Sequence, residues 1–331
     1  MKRTAEQQAF EQLTRQFGKG GITSADLETL GQSAKAGDSA AMQEVAAAIA
    51  HIAFVNPGAS MAVLDGLARG WLGEAAAIPA TPAAQALMLS RLDEADRPGT
   101  AFWDAFWAFL SSREENMSGE EVTERIAAFA SSLPASFTAR AEEAAIAHPG
   151  TANAATRPIP EKITLETLGQ QPEGSLGHDI YRLIVDNDFH LEVLDRDDAT
   201  INAMPPALRY LNVRILQMHD VWHMMAGYRT TMLQEVGISA FSLAQFDHNY
   251  SAMLIATAAA SPLFNVPEAF PVVMQVIMEA WQHGRTTPFF MEIEWENEWH
   301  RSIADIRAHH GIKAFESIYP ADLFEQLRDA A

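Results

Sequence analysis

"MPPALRYLNVRILQMHDVWHMMAGYRTTMLQE", residues 204–235, decides how this chain folds. Pro205 and Pro206 start a helix, because proline's fixed φ suits the first turn and its missing N–H would have no helical partner there. Leu208, Leu211, Ile215, Trp222 and Met225 then return at helical spacing. Gly227 is placed to end the helix, since glycine enters the left-handed conformation of a C-terminal cap without a Cβ penalty. "YRTT" (228–231) offers a turn, with Thr230 or Thr231 to cap a second helix. The expectation is a helix, a tight reversal and another helix.

The same stretch gathers metal-ligand chemistry. His219 and His223 are four apart, so on a helix their imidazoles share a face one turn apart and can aim at one ion. The histidines of HExxH motifs use the same geometry. Asp220 points roughly 100° away from His219, so it is either a third ligand or an acceptor that orients a ring. Glu235 lies twelve residues after His223, about 18 Å along the axis if the helix ran straight on. Metal ligands lie within about 2.2 Å of the ion. A shared site therefore requires the reversal at Gly227–Thr231. The alternative reading is an amphipathic helix that carries polar residues with no ion, and spacing alone leaves both open.

Outward from this stretch, nearly every local signal is helical. "TPAAQALMLSRLDEAD" (81–96) puts Thr81 at an N-cap and Pro82 at the first helical position. Ser118 and Glu121 have capping-box spacing. Phe102, Trp103, Phe106 and Trp107 mark a helix buried on a broad face. "FMEIEWENEWHRSIADIRAHHG" reads as a last long helix, with Trp295, Trp299 and Ile306 along one side and Gly311 at its end. Runs with strand alternation are scarce, and "KITLETL" (162–168) is the best candidate for a short extended piece. The fold class predicted is all-α. A Pro-, Gly-, Ala- and Thr-rich stretch between about 144 and 175 reads as a linker, which places a domain boundary near 155: a helical domain over 1–155 and a second over 156–331.

Bulk composition narrows the function. The 331 residues include no cysteine, so disulfides and thiolate metal sites are excluded and any ion must be held by His, Asp or Glu. The net charge of -20 repels phosphate backbones and argues against nucleic acid as a partner. It also opposes anionic membrane surfaces unless a local patch overrides the mean. The most apolar region, 253–281, is interrupted by Pro262, Asn265, Pro267, Glu268 and Pro271, and neither half approaches the roughly 20 apolar residues of a membrane span. The N-terminal segment has no apolar signal core, and Glu6 and Glu11 argue against an organelle presequence. A cytoplasmic bacterial protein is the expectation.

The pattern His-Asp-x-x-His, then eleven residues and Glu, resembles the signature of the coenzyme Q biosynthesis protein 4 family. "EGSLGHDIYRLI" is similar to that family's Gly-x-x-Gly entry followed by tyrosine. "AWQHGRTTPFFMEIEWENEWHRSIADIRAHHGI" is similar to its closing Trp-x-x-Gly, Trp-Glu and Arg-x-x-x-Gly-Ile pattern. The likeness covers about residues 170–313, and residues 1–155 have no recognised counterpart. The resemblance implies an all-helical fold serving ubiquinone synthesis, with His219, Asp220, His223 and Glu235 as ligands of a divalent ion. That ion is zinc by the resemblance, with iron or manganese as alternatives. It implies a prenylated hydroxybenzoate intermediate as ligand, other ubiquinone enzymes as partners, and removal of the C1 carboxyl group with oxygen introduced there. Peripheral contact with a bacterial inner membrane and homo-oligomers are compatible with it. The Ala- and Met-rich 253–280 segment reads either as the lining of a slot for an isoprenoid tail or as ordinary helix packing. Two other functions compete: a lipid-binding scaffold whose ion is structural, and a metal-dependent hydrolase. Adjacent His-Asp pairs, here His178-Asp179 and His219-Asp220, also occur in phosphohydrolases. The hydrolase would need cations for phosphate, and Arg214 and Arg229 are the nearest.

Overall fold

The structure is a computed structural model, and it describes residues 3–19, 21–80, 97–112, 119–191, 196–197 and 199–329. Among the described residues there are helices and no strand. The helix expected to open at Thr81 and Pro82, and the cap at Ser118, lie outside the described residues.

The chain forms two compact units, Met1–Ala144 with Val236–Thr286, and Ala145–Glu235 with Thr287–Ala331. This division differs from a single boundary near 155. The physical reason lies in helix pairing. The first unit contains α1 (Ala5–Gln16), α2 (Ser24–Lys35), α3 (Ser39–Phe54), α4 (Ser60–Leu72), α5 (Thr100–Ser112), α6 (Gly119–Ser132) and most of α7 (Ala135–Ala147). Two later helices, α13 (Asn249–Asn265) and α14 (Phe270–Thr286), complete its core by packing on α3 and α4.

Small residues set the close packing in this unit. Ala46–Ala48 and Ala50 of α3 and Ala256, Ala259 and Ala260 of α13 are all fully buried, which lets two backbones approach. The alanines of the apolar 253–280 segment are thus engaged in helix packing. At the α2–α4 crossing a Cβ on Gly70 would lie 2.0 Å from the Glu28 carbonyl oxygen, so only glycine fits. The aromatic run of α5 is core: Phe102, Trp103 and Phe106 are fully buried, and Phe54 meets Phe102 edge-on at 4.8 Å.

The second unit holds α8 (Leu165–Gly169), α9 (Leu176–Asn187), α10 (Ala199–Asn202), α11 (Pro206–Ala226), α15 (Ile303–His310) and α16 (Leu323–Asp329). α12 (Met232–Phe246) gives its first turn to this unit and the rest to the first. Two local expectations are corrected here. "KITLETL" is extended only at its start: Thr164, with φ -118° and ψ 148°, caps α8 by accepting from the Thr167 amide, and the rest is helix. The long closing helix is also absent. Its sequence forms 3-10 turns at Phe290–Glu292 and Trp295–Asn297 and then α15, which Ser302 opens by accepting from the Asp305 amide. Trp295, Trp299 and Ile306 are buried all the same, so the apolar spacing reported burial and not helix. No helix is long and apolar enough to cross a membrane among the described residues.

Candidate metal centre

α11 begins at the tandem prolines and ends at Gly227, whose φ of 83° is the left-handed cap the sequence requires. The Gly227 and Tyr228 amides both donate to the His223 carbonyl, at 2.9 Å each, which turns the chain out of the helix. A Cβ on Gly227 would also lie 2.9 Å from that of Ala314. Gly227→Ala should therefore lower stability by about 1–3 kcal/mol, from left-handed strain plus crowding, as read by thermal melting. A melting temperature equal to wild type would contradict this account of the turn.

The reversal is held by residues far along the chain. The Phe315 amide donates to the Ala226 carbonyl at 2.7 Å, and the Phe315 ring stacks on Tyr228 at 4.4 Å. Thr231, just before α12, donates its hydroxyl to the Ala321 carbonyl at 2.6 Å. The Met232 amide donates to Glu325 at 2.9 Å. Arg307 donates to the Met224 and Met225 carbonyls at 2.7 and 3.0 Å, satisfying acceptors that the end of a helix leaves open. Burial lowers the pKa of this arginine. Arg307 is the arginine of the Arg-x-x-x-Gly-Ile pattern, and sequence reasoning gave it no task because its partners are some eighty positions away.

Folded this way, three donor groups meet. His219 Nε2 and His223 Nε2 are 3.0 Å apart. Glu235 Oε2 lies 3.6 Å from His219 Nε2, and Oε1 lies 3.4 Å from His223 Nε2. Ligands about 2.1 Å from a common ion sit roughly 3.0–3.4 Å from one another, so these spacings fit edges of one coordination polyhedron. The tautomer fits too. His223 Nδ1–H donates to the Tyr228 carbonyl at 3.3 Å, which leaves Nε2 as a lone pair facing the cluster. Lone pairs of this kind repel at such distances unless a proton or a cation lies between them.

The carboxylates make the cluster a place that favours positive charge, whether a proton or a cation. Burial pushes the Glu235 carboxyl upward, but the two histidines in their protonated forms, donating to it and bearing charge, outweigh burial and hold it well below the usual carboxylate range; a cation shared by the three groups acts in the same sense. Burial lowers the His219 pKa, but Glu235 and Asp220 overcome this and raise it. Asp220 is raised, mainly by burial, against the pull of the two histidines. Among the described residues Asp220 stands outside the set of converging donor atoms, as expected for neighbours about 100° apart around a helix. His223 is 3% exposed, while His219 and Glu235 are 38% and 41% exposed, so one side of the cluster faces solvent.

The other sequence candidates behave differently. His178, in the second His-Asp pair, is outside the candidate metal groups found among the described residues. Arg214 is buried and forms a two-pronged ion pair with Glu296. It is committed to protein, and its charge outweighs burial in lowering the Glu296 pKa. Arg229 is exposed.

The fold and the site define an all-α protein with a two-histidine, one-glutamate cluster across a helix reversal. Residues 154–316 match the family model of coenzyme Q (ubiquinone) biosynthesis protein Coq4, and that part of the chain is a Coq4-family domain. The chain is 28% identical over 151 residues to the mouse mitochondrial ubiquinone biosynthesis protein COQ4 homolog, covering 45% of this chain and 54% of that protein. It is 28% identical over 153 residues to the human protein of the same name, covering 46% and 56%. The chain thus spans about half the length of the curated relatives it matches. A crystal structure from Nostoc punctiforme, of a protein named for ubiquinone biosynthesis, aligns with TM-score 0.49 and 24% identity over 64% of this chain and 97% of that one.

Proposed function

We propose that this chain serves ubiquinone biosynthesis, holding a divalent ion through His219, His223 and Glu235, with Asp220 beside them, next to a prenylated hydroxybenzoate that loses its C1 carboxyl group there. The observation that carries this reading is the convergence of three metal-type donors inside the segment that matches Coq4. Three protein donors with a solvent-open side suit a site that admits water or substrate, whereas structural zinc sites close with four ligands. That favours a metal-dependent decarboxylase over a scaffold with a structural ion. The hydrolase reading loses its nearest buried cation to the Arg214–Glu296 pair.

A divalent ion supplies Lewis-acid polarisation of a carboxylate or phenolate oxygen, and iron or manganese adds the redox chemistry that zinc lacks. The protein's own contribution is orientation and charge. The Tyr228 carbonyl fixes the His223 ring. Glu235 remains anionic. Asp220, with its raised pKa, is suited to hold a proton beside the site. Prenylated intermediates reside in membranes, so the reading entails peripheral contact with the inner membrane and partners among the other ubiquinone enzymes.

The test is complementation of a bacterial strain lacking its C1 decarboxylation step. Wild type should restore ubiquinone. Glu235→Gln keeps the size but loses the charge, and should restore less than a tenth as much while melting normally. Full restoration by a Glu235→Gln chain that has lost its ion would overturn the enzymatic reading.

A further inference from the structure

A second group of donors lies in the unit that carries α11. Glu298, His309 and His310 bring one ligand atom each within 4.8 Å of one another. His310 Nε2 is 2.9 Å from Glu298 Oε1, the edge length of two ligands about 2.1 Å from one ion. The other carboxylate oxygen, Oε2, accepts from Arg301 at 3.0 Å. This contact fixes the plane of Glu298 while leaving Oε1 turned to the histidines, as hydrogen bonds to metal-ligating carboxylates commonly do. His309 and His310 close α15, where the unpaired carbonyls of a helix end favour a cation. A cavity of about 440 Å³ opens beside the group, lined by Glu292, Glu294, Asn297, Glu298 and His310. It offers open space for the remaining coordination positions and a negative wall to attract a cation.

We propose that Glu298, His309 and His310 form a second divalent-cation site, separate from the cluster at His219, His223 and Glu235. Two imidazoles and one carboxylate without a thiolate select a borderline ion of the zinc class over calcium or magnesium, which prefer all-oxygen sites. Arg301 tunes the site by competing for Glu298.

The experiment is equilibrium dialysis of the untagged full-length chain against Zn²⁺, with bound zinc measured by elemental analysis. His309→Ala alters an exposed side chain, and Glu298→Gln preserves shape and the hydrogen bond to His310. Each should weaken one class of zinc binding at least tenfold. Arg301→Gln should tighten that same class. His219→Ala should leave it unchanged, so loss of the first site and loss of the second are read separately. Zinc binding identical to wild type in both His309→Ala and Glu298→Gln, by number of ions and by affinity, would overturn the proposal whatever happens at His219.

Discussion

Asp65→Ala should cost about 3–5 kcal/mol and lower the melting temperature by roughly 10 °C. Asp65 is fully buried on α4 and accepts from two groups on α14. Its Oδ1 takes the Trp281 indole N–H and Arg285 Nε, each at 2.9 Å, and its Oδ2 takes Arg285 Nη2 at 3.2 Å. Arg285 is 6% exposed at its side chain. Removing the carboxylate leaves a guanidinium and an indole N–H buried without their acceptor. The large cost is that uncompensated charge and not the worth of the pair itself. Asp65→Asn should cost less, because an amide oxygen still accepts one of these bonds. Thermal and urea melts check both. An Asp65→Ala protein within about 1 kcal/mol of wild type would mean that water reaches Arg285 and that the α4–α14 contact is looser than described.

Asp247→Asn should do the opposite and stabilise the protein at neutral and alkaline pH. Asp247 is buried between α12 and α13 in the sequence, with φ 52°, and its Oδ1 has no hydrogen-bond partner among the described residues. Burial pushes its pKa up to about 7, against the opposing pull of a hydrogen bond with Ser60. Below about pH 4 the carboxyl is neutral in both the folded and the unfolded chain, and nothing is lost. From about pH 4 to 7 the unfolded chain releases the proton and the folded chain keeps it, so stability falls as pH rises. Above pH 7 both are ionised and the penalty levels off. Three pH units at about 1.4 kcal/mol each give a penalty on the order of 4 kcal/mol. Asparagine has no proton to release and tolerates the left-handed conformation. The variant should therefore gain steadily on wild type over this window and exceed it near pH 8. Urea melts of the two chains from pH 4 to 8 decide the matter, and parallel profiles would place the Asp247 carboxyl in contact with solvent.

The sequence and the structure agree where the signal is local. Pro206 and Gly227 bound α11 because proline and glycine act through their own φ, whatever surrounds them. The helical spacing of His219 and His223 and the reversal that brings Glu235 back were readable for the same reason. What stayed hidden was non-local. Arg307 on the end of α11 and Glu325 on the start of α12 are set by tertiary contacts that no spacing encodes. The pairing of α3 with α13 is likewise invisible, because alanine reads as a mild helix former until a second alanine face meets it. Trp295 and Trp299 misled for a related reason: burial of large rings occurs at similar spacing in 3-10 turns and in a continuous helix. Asp220 illustrates the remaining limit. His219 beside it is a donor, but within α11 the two side chains leave the helix about 100° apart, and the converging atoms are those of His219, His223 and Glu235.

The central claim is that these three side chains hold a divalent ion, and ion content tests it most directly. Untagged chain purified without added metal, analysed by native mass spectrometry and elemental analysis, should carry an ion that both His223→Ala and Glu235→Gln lose while remaining folded. Equal ion content in wild type and both variants, or no ion in any of them after dialysis against zinc, iron or manganese, would contradict it.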